Sequence, residues 1–170
     1  KVDIFKWTEK MMGMDEEAWQ RHASPLSVYS RFTILPLLSL SIWSKEWIGV
    51  WSTLPIAISI AWVWLNPRVF SAPKNTNSWA SIGTFGERIY LQRSKVKIPG
   101  HHLRICNLLS TLSALGVPIL IYGLYTLDVG IVVLGNVWVM AFKAWFVDRM
   151  VWIYMDLKDT DPEYASWLKL

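Results

Sequence analysis

Residues 105–127 read ICNLLSTLSALGVPILIYGLYTL, Asp128 follows, and residues 129–147 read VGIVVLGNVWVMAFKAWFV. Each run is close to the roughly 20 helical residues needed to cross a bilayer core of about 30 Å. A connection as short as one aspartate lets two helices return only side by side in opposite directions. Working outward, the pattern repeats upstream: an apolar run over residues 28–44, the charged pair Lys45-Glu46, then a second run over residues 47–65. The fold expected from these runs is all-α, a polytopic membrane protein of four spans in two antiparallel hairpins.

Composition agrees. Of 170 residues, 53% are apolar and 18% charged, against about 25% charged in an ordinary soluble domain. That hydrophobicity excludes intrinsic disorder, and the single Cys106 excludes a disulfide scaffold. Twelve tryptophans are present, and such amphipathic rings collect at membrane–water interfaces. The net charge of +4 does not point to nucleic acid, because the basic residues flank apolar spans and no recognition fold accompanies them.

The chain divides into five segments. Residues 1–24 form an amphipathic interfacial segment in which Ile4, Met11, Met12 and Trp19 approach one helical stripe. Gly13 interrupts it, and Asp15-Glu16-Glu17 marks a new helix start. Charges throughout the first 20 residues argue against a signal peptide there. Residues 25–65 are the first hairpin, opened by Ser24-Pro25 with proline in a first-turn position. Residues 66–104 are a polar loop. Within it, Arg93, Lys95 and Lys97 alternate with Ser94, Val96 and Ile98, a period of two that predicts a short strand or extended segment. Trp79, Phe85, Ile89, Tyr90 and Leu91 in the same loop predict that it is docked, since each offers apolar area to bury. Residues 105–157 are the second hairpin with a helical extension, and residues 158–170 a tail.

Orientation follows from Lys and Arg. Five lie at or before Arg31, seven in residues 66–104 and three after Val147, whereas the two hairpin turns hold Lys45 alone. This bias places both termini and the central loop in the cytoplasm.

The ionisable residues gather at that face: His22, Arg31, Glu87, Arg88, His101, His102, Lys143, Asp148 and Arg149. They are candidates for an interfacial polar cluster. Arg149 is expected to pair with Glu87 or Asp148 and stitch the loop to the fourth helix. Asp148, Trp152 and Asp156 share a face at spacings of four. Three histidines and nearby carboxylates are a donor set for a metal, but His101 and His102 are adjacent and diverge on a helix, and no HExxH is present. No metal and no catalytic group is therefore assigned. Pro36, Pro55 and Pro118 fall inside the spans and are expected to kink them. Trp43 and Trp62 follow the first two at equal offsets, yet two matched positions do not make a transporter repeat, and the spans carry no midplane charge to couple to an ion. Ser110, Ser113, Ala114 and Gly116 form a small-residue face suited to close helix packing.

The stretches AWQRHASP (18–25), SVYSRF (27–32), WLNPRVF (64–70), SWASIG (78–83), GERIYL (86–91), PGHH (99–102) and WFVDRMVW (145–152) resemble a family of small prokaryotic four-span membrane proteins of unknown function. Ser24 stands where that family would have asparagine. The resemblance supports the fold and implies no activity, substrate or cofactor.

The functional expectation is a non-catalytic accessory or scaffolding subunit of a larger membrane complex, respiratory or photosynthetic. It would contact membrane lipids, other membrane protein subunits or pigments, and no nucleic acid. The alternative is a membrane-interface enzyme acting on lipid or quinone headgroups through His22, His101 or His102 with Asp148.

Overall fold

The structure is a computed structural model, and it describes residues 15–170. The stripe residues Ile4, Met11 and Met12 lie outside the described residues. Among the described residues, regular structure is entirely helical, with no strand.

The first helix, α1 (Glu16–His22), starts where the acidic triplet predicts. The Asp15 carboxylate accepts from the Ala18 N–H at 2.8 Å, and Glu16 and Glu17 sit in the first turn, where negative charge meets the positive helix end. Helix α2 (Pro25–Phe32) follows with Pro25 as its first residue. Then come α3 (Ile34–Trp43) and the short α4 (Lys45–Ile48), a 3-10 turn over Gly49–Ser52, and α5 (Thr53–Val69).

Two of the three span prolines do not kink a helix interior. Pro36 and Pro55 occupy the first turns of α3 and α5, where a missing N–H deprives no carbonyl of an established helical bond. The break at Thr33 between α2 and α3 has the same cause, because Pro36 cannot donate to Phe32. Of the three, only Pro118 lies in the middle of a helix, α7 (Gly100–Thr126), while Pro67 falls inside the last turns of α5. Helix α6 (Trp79–Leu91) precedes α7, and α8 (Val129–Leu157) and α9 (Pro162–Ser166) follow it.

Three helical stretches are long and apolar enough to cross a membrane: Pro25–Val69, Gly100–Thr126 and Val129–Leu157. Few residues in their most apolar windows are buried (6%, 22% and 11%), and this, with their length and apolarity, suggests an integral membrane protein. Helices α7 and α8 pack side by side, and a Cβ on Gly135 would stand 2.7 Å from the Leu120 backbone. Only a glycine permits that approach. Ser113 Oγ donates to the Val139 carbonyl at 3.2 Å, and Gly116 is buried against Trp138, while Ala114 faces outward.

The hydrophobic core sits where α6 and α9 pack against the start of α7 and the end of α8. Phe85, Ile89 and Tyr90 of α6 pack with Met150, Ile153, Tyr154 and Leu157 of α8, with Cys106 of α7 and with Tyr164 of α9. The loop is therefore docked, as its apolar residues predict, and it docks as a helix. A Cβ on Gly86 would fall 1.8 Å from the Met150 carbonyl oxygen, so α6 lies directly on the α8 backbone. The C-terminal end is pinned to the segment before α6. The Thr76 N–H donates to the Lys169 carbonyl at 2.9 Å, and the Lys169 N–H donates to Thr76 Oγ1 at 2.7 Å.

The strand reading of the loop is corrected. Residues 93–98 form no strand: turns continue to residue 95 after α6, a bend follows at residue 96, and residues 97–99 have no regular structure, Pro99 being the N-cap of α7. Their backbone bonds are local, Val96 N–H donating to the Gln92 carbonyl and Arg93 N–H to that of Tyr90. Helix α7 begins at Gly100, five residues before the apolar run.

Candidate functional site: a polar cap on the helical spans

Helices α1, α6 and α9, with the adjoining ends of α2, α7 and α8, form a polar cap, and the candidate ionisable residues separate into three neighbourhoods within it.

The first surrounds His22. Its ring closes α1 and is buried, and Arg31 of α2 donates from Nη1 to His22 Nε2. Burial, reinforced by the nearby cations Arg31 and Lys143, holds His22 well below the usual histidine pKa, so the ring is neutral. That state fits the geometry, because a neutral ring can accept from a guanidinium. Its Nδ1 is buried without a hydrogen-bond partner. Arg31 also donates from Nε to the Ser27 carbonyl at 3.2 Å, and Glu87 of α6 lies within electrostatic reach of both Arg31 and Lys143.

The second neighbourhood is organised by Arg88. Its guanidinium donates from Nη1 to Glu16 of α1 at 3.0 Å, lies 3.6 Å from the Glu163 carboxylate of α9, and stacks over the Trp167 ring at 4.4 Å. The donated hydrogen bond holds the Glu16 carboxyl below its ordinary pKa, although partial burial opposes this. Arg88 thus joins three sequence-distant pieces of the cap. Beside it opens a cleft of about 280 Å³ lined by Trp19, Phe85, Arg88, Glu163 and Trp167, among others. Tyr164, which backs this region, has its hydroxyl pKa raised by burial.

The third lies where α7 begins and α8 ends. His102 is 2% exposed, and its Nε2 is 2.8 Å from Asp156 Oδ2. The His101 ring lies 4.1 Å from that of His102, centroid to centroid. Adjacency on a helix implies divergence, yet in this first turn the two rings lie against each other.

Asp148 and Arg149 belong to none of these. Asp148 accepts the indole N–H of Trp79 at 3.1 Å, a bond from α6 to α8, whereas the expected pairing of Arg149 with Glu87 or Asp148 does not form among the described residues. Arg149 has a buried Nε without a hydrogen-bond partner and makes no ion pair among the described residues. Sequence reasoning missed Asp156 as the partner of His102, and missed Glu16, Glu163 and Trp167 around Arg88. The spacing of four between Trp152 and Asp156 marked a face of α8 but not what lay across from it.

A family model described as "Family of unknown function (DUF6653)" matches residues 4–168, and the chain belongs to that family. Comparison with curated proteins and with solved structures gave no match.

Proposed function

We propose that this DUF6653 member is a four-span membrane protein with two antiparallel hairpins, residues 25–65 and 105–157, and with its termini and cap in the cytoplasm. In this reading it acts without catalysis, as an accessory or scaffolding subunit of a larger membrane assembly such as a respiratory or photosynthetic complex. The observation that supports this is how the span surfaces divide. Polar side chains pair with each other between helices: Ser41 with Ser59 at 3.2 Å, Asn66 with Ser27 and Ser30, and Asn136 with Ser39. The outward positions hold large apolar residues such as Ile58, Ile121, Val133 and Val137. Such a surface suits lipid tails, pigments or partner helices. The basic residues concentrated in the cap suit a cytoplasmic placement.

The experiment is photocrosslinking in native membranes from probes at positions 58, 121 and 137. A discrete protein adduct from at least one position is expected. Lipid adducts alone, together with turnover of a phospholipid or quinone by the purified chain, would replace this reading with the enzyme one. The His102–Asp156 contact does not favour that second reading: with Nε2 donating to Asp156, the basic nitrogen is Nδ1, which is buried and out of reach of a substrate. Asp148, occupied by Trp79, has no part in it.

A further inference from the structure

We infer that His101, His102 and Asp156 form a binding site for a divalent transition-metal ion of the zinc type. Each side chain offers one ligand atom, and these atoms all lie within 4.8 Å of one another. Ligands about 2.0–2.2 Å from a tetrahedral ion stand roughly 3.4 Å apart. Closing the difference needs only modest side-chain rotation, and His101 and Asp156 are both exposed, with Asp156 Oδ2 already 2.8 Å from His102 Nε2.

The donor chemistry selects the ion. Two imidazole nitrogens with one carboxylate oxygen suit zinc and its neighbours, whereas magnesium and calcium favour oxygen throughout. Three protein ligands leave a fourth position for water. The fold supplies the order such a site requires. His102 is held in place by burial, and its Nδ1 has no hydrogen-bond partner. Asp156 accepts the Nε2 proton of His102, so an ion binding there displaces that proton and takes its place between Nε2 and Oδ2. Asp156, with its side chain 47% exposed, gives the ion a path from solvent.

The site joins the first turn of α7 to the last turns of α8, at the end of the pair remote from the Asp128 turn. An ion there would close that end and hold the floor of the cap.

The test uses the full chain in detergent, freed of any affinity tag, titrated with Zn²⁺ by calorimetry and with Co²⁺ by visible absorption. His22 is the one other histidine of the sequence and belongs to a separate buried neighbourhood. One saturable equivalent of either ion is expected, with a tetrahedral cobalt spectrum and a Zn²⁺-dependent rise in melting temperature. His101→Ala and Asp156→Asn replace exposed side chains, so both variants should fold, and each should weaken binding about tenfold or more. His102→Ala should abolish it. Absence of saturable binding overturns the site, as does binding left unchanged in His101→Ala and Asp156→Asn.

Discussion

Asn136 of α8 donates from Nδ2 to Ser39 Oγ of α3 at 3.1 Å, and both side chains are buried. This contact links two apolar stretches through a side-chain pair that lipid could not satisfy. Asn136 also donates to the Val132 carbonyl at 2.9 Å, so the helix itself orients the amide. Polar pairs between membrane helices are worth about 0.6 kcal/mol on average and up to about 1.7. Asn136→Ala should therefore cost about 1 kcal/mol in a reversible detergent-unfolding assay. The Ser39→Ala and Asn136→Ala double variant should lose less than the sum of the singles.

The contact of Gly86 with the Met150 backbone sets a sharper expectation. A methyl group cannot occupy a position 1.8 Å from a carbonyl oxygen, so Gly86→Ala must lift α6 away from α8. The cost should be at least about 1–3 kcal/mol, the usual range for overpacking. In hydrogen-exchange measurements, protection should fall across residues 79–91 and persist in the interiors of α7 and α8. Equal loss across all three would mean that the cap does not dock as a separate layer.

His22 makes stability depend on pH. The unfolded histidine takes up its proton near pH 6.5, whereas the folded ring, held neutral by burial and by Arg31 and Lys143, takes it up only well below that. The unfolded state then binds more protons below pH 6.5, so stability falls as pH drops from about 7 to 5. Thermal melts across that range should show the decline, and His22→Asn should flatten it.

The carboxyl of Glu16 acts in a lower window. Its folded-state pKa lies below the ordinary value of about 4.3. Its contribution is present above that value and fades as pH falls through the folded-state pKa. Glu16 is exposed and its pair with Arg88 is screened, so Glu16→Gln should lower the melting temperature slightly at pH 6. That difference should shrink as pH falls below about 4.3.

The apolar runs were legible because span length is a property of consecutive residues, and the Asp15 and Pro25 helix starts because caps act within one turn. Helix α6 was not legible as a helix. Gly83 and Gly86, needed for close approach to α8, interrupt its apolar stripe, and Glu87 and Arg88 fall between Phe85 and Ile89. The partners of His102 and Arg88 were hidden for another reason. Asp156 is 54 residues from His102, and Glu16 is 72 from Arg88. No local pattern encodes such pairs, and the docking of α6 and the folding of α7 against α8 create them. The proximity of His101 to His102 depends on α7 starting at Gly100, a boundary that the apolar pattern placed five residues late.

The central claim, four spans with the cap and termini on one side, is tested most directly by cysteine accessibility in intact cells. Single cysteines at Lys45, Lys95 and Asp128 in a Cys106→Ala background would be exposed to an impermeant thiol reagent. Labelling at 45 and 128 from outside, with labelling at 95 only after permeabilisation, is the expected result. External labelling at 95, or labelling at 45 and 128 from opposite sides, would contradict the account.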